Sequence, residues 1–175
     1  MAEVHAIGQL VSGSGFHEKA LFCRWGIHTG GAWKVLAGTK EGQTQVDDPE
    51  TGDIAFFSHP IDIHFATRGL QGWPKLWVQV YHQDSFARNE LVGYGFTHLP
   101  SSPGLHNLQI LTWRPAGGYT DTISHHFLGG SHQLKAPELI FSATERHRLT
   151  TVATGKIFAQ LHIVLRNFEK FGIEC

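Results

Sequence analysis

Charge is scarce in this chain. Asp, Glu, Lys and Arg make up 17% of its 175 residues and leave a net charge of −1, where a typical soluble domain carries ~25%. No basic excess exists to neutralise phosphates, so no nucleic-acid partner is expected. Cysteine is rarer still, with Cys23 inside an apolar run and Cys175 at the end. Two such thiols make no disulfide framework and are expected to be reduced. No apolar run approaches the ~18 residues of a spanning helix. The start, Met-Ala-Glu-Val-His, has neither a signal-peptide layout nor the Met-Gly of a myristoylated chain, and Gly172 stands where a prenylation box needs Cys. A soluble, intracellular protein is the expectation. Also missing are a Gly-x-Ser-x-Gly elbow and a phosphate loop, which ends in Gly-Lys-Ser/Thr. Nucleophilic catalysis needs an activated Ser or Cys beside a base, and no catalytic residue or enzymatic activity is expected.

What is present is glycine (20), aromatic residues (11%) and a hydrophobic fraction of 41%. Glycine spread among aromatics favours short strands joined by tight turns. The length fits one domain, 1–175, able to bury roughly 70% of its unfolded surface. Alternation is clean at 61–67, and 3–11, 20–28, 32–37, 93–99 and 146–152 also read as strands, with a short one at 43–46. An apolar run at 54–59 is interrupted by Pro60. The clearest strand is 156–166, where Ile157, Ala159, Leu161, Ile163 and Leu165 alternate with Lys156, Phe158, Gln160, His162, Val164 and Arg166. The spacing of 105–111 decides nothing, 113–118 reads as loop, and a polar tail begins at Asn167. One short helix is expected over 120–128, stopped by Gly129-Gly130. There is no repeat and no linker. About eight alternating strands predict an all-β antiparallel sandwich, since each must cover its apolar face.

The organising stretch is 73–95, WPKLWVQVYHQDSFARNELVGYG. Leu76, Val78 and Val80 fall on one strand face, with Trp77 and Tyr81 on the other. A polar loop, 82–90, precedes a Leu-Val-Gly restart. This layout resembles the third top loop of a C2-type sandwich, which in calcium-binding members carries clustered acids. Here its positions hold His82, Asp84 and Glu90, and the first top loop, 12–19, adds only Glu18 beside His17 and Lys19. Ca²⁺ takes about six to eight oxygen ligands, and imidazole suits a hard cation poorly. These are degenerate calcium-loop positions, with no metal expected and Asp84 serving its own turn.

The 13 histidines invite a zinc site that their spacing opposes. His59 and His64 sit in a strand pattern broken by Pro60, and His125 and His126 would point ~100° apart on a helix. No Cys-x-x-Cys exists, so no metal or other cofactor is expected. Histidines such as His64 and His162 are expected half-exposed on strand faces. Aromatic residues more often fill cores or anchor interfaces than stack sugars. Trp77 and Tyr81 form a partner patch if their face is solvent-facing and core if it is covered. The turn through Pro100, Ser101, Ser102 and Pro103 to Gly104, rigidified by two prolines, is a second candidate contact. Small basic groups, Lys19, Arg24, Lys34 and Lys40 or Arg146, Arg148 and Lys156, allow only weak membrane contact, at ~1 kcal/mol per cation.

The segments MAEVHAIGQL, LFCRWGIHTG, EGQTQVD, SHPIDIHFATRGLQGWPKL, QDSFARNELVGYGF, HLPSSPG and LRNFEKFGIEC resemble the B9 domain family over nearly the whole chain. The resemblance implies a divergent C2-like sandwich acting as a non-catalytic scaffold at the ciliary base. It implies membership of a transition-zone complex with the tectonics, needed for ciliogenesis and the ciliary diffusion barrier. The partners it implies are other B9 proteins, namely B9 domain-containing protein 1 and the Meckel syndrome type 1 protein, together with γ-tubulin. It places the protein in the cytoplasm and cytoskeleton, at the basal body and transition zone, and leaves axonemal and nuclear pools open. The competing expectation is a calcium-independent peripheral phospholipid-binding C2-like module.

Overall fold

A computed structural model describes residues 1–116, 140 and 150–172. Among these residues nine strands run β1 (Ala2–Ser14), β2 (Leu21–His28), β3 (Trp33–Gly38), β4 (Glu41–Gln43), β5 (Ala55–Thr67), β6 (Lys75–Gln83), β7 (Asn89–His98), β8 (Gly104–Pro115) and β9 (Thr151–Arg166). Their pairing order is β3-β5-β1-β9-β8-β7-β6-β2-β4, and every pairing is antiparallel. The junction between β7 and β8 is two residue pairs wide, Tyr94↔Trp113 and Gly95↔Thr112. At this narrow hinge the sheet folds over, so β3-β5-β1-β9-β8 faces β7-β6-β2-β4 as two layers of a sandwich.

Alternation fills the space between the layers. Leu76, Val78 and Val80 from one layer share a core with Val4, Ala6, Ile157, Leu161 and Ile163 from the other, all fully buried. Each such side chain contributes about 1.5–3 kcal/mol on burial. Cys23 belongs to this core, and burial pushes its thiol well above the ordinary range, keeping it protonated. Cys175 lies outside the described residues.

At the far side of the sandwich the layers are clipped together by side chains. Gln45 Nε2 donates to Phe57 O at 2.6 Å, and Phe56 N donates to Asp47 Oδ2 at 2.8 Å. The strand expected at 43–46 is β4, earlier in the chain; beyond it the Asp47 backbone keeps an isolated antiparallel bridge to Leu21, and the Gln45 and Asp47 side chains reach the other layer.

Three further elements differ from expectation. Pro60 lies inside one continuous strand, β5. It pairs with Gln9 of β1, and β3 reaches only Ile63 to Thr67 on the other edge, so the missing N–H falls where no ladder needs it. β8 continues through Trp113 and Arg114 to Pro115, because Thr112 Oγ1 is tied to Thr154 Oγ1 at 2.8 Å and to Gly155 O at 2.8 Å. The polar tail begins instead with a 3-10 helix, Phe168–Phe171. The helix expected at 120–128 and most of the strand expected at 146–152 lie outside the described residues.

Phe168 closes the lower end of the sandwich. It packs against Trp73 (ring centroids 6.2 Å), which meets Trp33 edge-on (5.1 Å). The two indole N–H groups donate to loop carbonyls, Trp33 to Gln71 and Trp73 to Leu99, as buried indoles require. Phe168→Ala is expected to cost about 3–5 kcal/mol, read as a lowered midpoint in denaturant unfolding. A shift under about 1 kcal/mol would show that the end is closed by other contacts.

Candidate functional site

The β6–β7 turn is where a cation would bind if the C2-like frame kept that function. The strands extend further than expected: β6 reaches Gln83, β7 starts at Asn89, and His82 pairs with Glu90 across the ladder. Only 84–88 remains as turn. Asp84 organises it, accepting from Phe86 N (2.9 Å), Arg88 N (2.8 Å) and Arg88 Nε (2.7 Å). Ala87 takes the left-handed conformation, φ 60°. The Asp84 carboxylate is thus neutralised by a guanidinium from its own turn, not held open for an ion. His82 Nδ1 bonds the carbonyl of Lys19, tying this turn to the β1–β2 loop. Among the described residues no group of three or more His, Cys, Asp or Glu side chains is placed to hold a metal. A cavity of about 120 Å³ beside His17, Glu18, Lys19 and Asp53 is well below the ~300 Å³ of a small ligand pocket.

Trp77 and Tyr81 lie on the outer face of β6, and that face is covered by the chain itself. Phe22, Tyr81, Leu91, Tyr94, Trp113 and Ile140 form a second buried cluster, with Trp77 and Phe96 packed against it. Tyr81 is 8% exposed, stacks on Phe22 (5.2 Å, 11°) and has Arg24 over its ring. Its phenol is raised by burial, and Arg24 opposes that shift. The Trp77 indole lies on Gly26, where even a Cβ would come within 2.4 Å of the ring. Tyr81 is therefore core, while Trp77 and Phe96 stay half-buried at the edge of this cluster.

The 100–104 turn lies at the opposite end from 84–88. Ser101, Ser102 and Pro103 are exposed and Pro100 is half-buried. Its root is fixed by Leu99 N donating to Pro74 O (2.9 Å), and His106 Nε2 bonds Ser102 O (2.9 Å). Of the basic residues, Arg24 is held by Gln43 Oε1 at 2.9 Å and Lys34 is on β3, while Arg146 and Arg148 lie outside the described residues.

The surface that sequence reasoning missed is the outer face of β5, β1, β9 and β8. One cross-strand row runs Asp62–Ile7–His162–Leu105, and the next holds His64, His5 and Val164. Ile7 (41% exposed), Leu105 (62%) and Val164 (45%) form its apolar part. The polar groups satisfy one another. His5 Nε2 meets Asp62 Oδ1 at 2.7 Å, and His64 and Arg166 flank Glu3 at 3.4 and 3.7 Å. His5 and His64 stack at 5.0 Å, and Gln160 donates to Asn107. Alternation identifies these side chains as outward-facing, but not which layer is left uncovered.

The pH response of the 84–88 turn follows from its bonds. The Arg88 backbone N–H, then its guanidinium and the Phe86 N–H, hold the Asp84 carboxyl below the ordinary carboxylate range. A depressed folded-state pKa stabilises the turn fully above the unfolded value of ~3.9, and that contribution is lost as pH falls through the folded value. Amide resonances of Phe86 and Arg88 should hold their positions down to about pH 4 and move below it. Movement between about pH 5 and 7 would contradict this geometry.

Residues 4–164 match the family described as "Ciliary basal body-associated, B9 protein". The chain is 59% identical over 174 residues to B9 domain-containing protein 2 of Xenopus laevis, covering 99% of each, and 56% identical to that of Homo sapiens over the full length of both. B9 domain-containing protein 1 of Xenopus laevis is 24% identical over 168 residues, 94% of this chain and 85% of that protein. Among solved structures, the C2A domain of plant extended synaptotagmin 1 aligns with TM-score 0.46 and 12% identity, over 93% of each chain. With a family match spanning the strands from β1 to β9 and full-length relatives above half identity, this chain belongs to the B9 domain family of ciliary basal body-associated proteins.

Proposed function

We propose that this protein is a non-catalytic scaffold subunit of the ciliary transition-zone complex, bridging B9 domain-containing protein 1 and the Meckel syndrome type 1 protein. The observation that carries this is the asymmetry of its two broad faces. On the outer side of β6 and β7 most aromatic side chains pack into the chain's own cluster. The outer side of β1, β9 and β8 is left open, with Ile7, Leu105 and Val164 set among paired polar groups. A second B9 domain suits such a face, because apolar side chains ringed by already satisfied polar groups bury at little desolvation cost. The turn carrying Pro100, Ser101, Ser102 and Pro103 leads directly into β8 and forms the lower rim of this contact. Trp77 and Tyr81 brace the opposite layer.

A separate observation favours weak, calcium-independent membrane contact. Phe86 is 79% exposed at the tip of the Asp84-clamped turn, with Arg88 against its ring at 5.4 Å. Glu18, Asp48, Glu50 and Asp53 belong to loops at the same end and repel anionic lipid, so the contact rests on one aromatic side chain. It serves as avidity within an assembly.

Ile7→Asp combined with Val164→Asp should weaken co-purification with B9 domain-containing protein 1 by at least about tenfold while the melting temperature stays within a few degrees. An unchanged complex would place the partner elsewhere. In liposome sedimentation, a small pelleted fraction should be the same with calcium and with chelator and should vanish in Phe86→Ala. Calcium-dependent pelleting would overturn the account of the 84–88 turn.

A further inference from the structure

We propose that Ser102 is a phosphoacceptor site for a proline-directed serine kinase. Ser102-Pro103 is the one Ser-Pro or Thr-Pro step in the whole sequence. The proline ring keeps the residue before it out of the α region, so Ser102 is held in extended or turn backbone, and Pro103 itself brings no N–H needing a partner in an enzyme cleft. That pairing is the chemical feature a proline-directed kinase reads.

The fold places this step where an enzyme reaches it. Ser101, Ser102 and Pro103 are all exposed, while Ser12, Thr44, Thr67 and Thr112 are buried. The turn is secured through its backbone and its flanks, by Leu99 N to Pro74 O, Trp73 Nε1 to Leu99 O and His106 Nε2 to Ser102 O. None of these bonds uses the Ser102 hydroxyl. Modification therefore costs the fold no hydrogen bond.

In the transfer, Ser102 Oγ attacks the γ-phosphorus of ATP. The Oγ–P bond forms as the bond from that phosphorus to the β–γ bridging oxygen breaks, ADP leaves, and the hydroxyl proton passes to the kinase's carboxylate base. The product carries a charge of about −1.5 to −2 at pH 7. It stands on the turn whose Ser102 carbonyl is bonded by His106.

The test is incubation of the folded full chain with Mg-ATP and a cyclin-dependent or mitogen-activated protein kinase. Intact mass and fragment sequencing read the outcome. About one phosphate per chain is expected, on Ser102, with incorporation down by roughly tenfold or more in Ser102→Ala and in Pro103→Ala and retained in Ser101→Ala. All three substitutions lie on the surface, and a melting curve checks each. The proposal is overturned if the wild-type chain takes up less than about a tenth of a phosphate, if the phosphate sits on Ser101, if Pro103→Ala is modified as well as wild type, or if only the denatured chain is a substrate.

Discussion

Leu76, Val78 and Val80 of β6 and Ile157, Leu161 and Ile163 of β9 come from opposite layers and meet in one dry core. The layers are joined through two β7–β8 residue pairs, so burial of these inner rows, more than the ladder, keeps the sandwich shut. Apolar contact has no direction of its own. Register comes from the strands, through long pairings such as β1 with β5 and β9, and a one-residue slip in any of them would turn the inner row outward. The ends are closed by different means. Trp33, Trp73 and Phe168 stop the lower end with interlocked rings. At the upper end Asp84 and His82 tie loops together through hydrogen bonds.

That upper end shows how a frame can persist while its chemistry changes. A C2-like turn that collects carboxylates gains stability only when a divalent ion neutralises them. Here Asp84 has its own cation in Arg88, placed by a left-handed Ala87 and two backbone N–H bonds. The turn closes on its own bonds and presents Phe86 beside the Arg88 guanidinium. In the same way, the aromatic residues that crowd the outer face of β6 and β7 pack on glycine and on one another. Their packing removes much of the apolar area that this face would otherwise expose.

Some elements were legible because their physics is local. The inner and outer rows of β9 were assigned residue by residue from alternation. The reading of Asp84 as serving its own turn agrees with the bonds it accepts from Phe86 and Arg88. Others were not legible because the deciding partner is distant in sequence. Pro60 stays within β5 because β3 stops short of it. Trp113 and Pro115 belong to β8 because Thr112 is held by Thr154 and Gly155, far along the chain. Phe168 looks like part of a polar tail until the aromatic residues it packs on are in place.

By itself the sequence determined the class of structure: period-two rows make strands, and long motif matches point to the family. Only the tertiary structure decided which outer face is free. Trp77 and Tyr81 read in one dimension as either docking patch or core, and Tyr81 joins Ile140, Phe22 and Trp113 in a buried cluster with Trp77 packed against it. Ile7, Leu105 and Val164 read as ordinary outward positions, yet they stand together in the open. Alternation tells a side chain which way to point. Whether anything lies over it depends on where the rest of the chain comes to pack, and no local pattern encodes that.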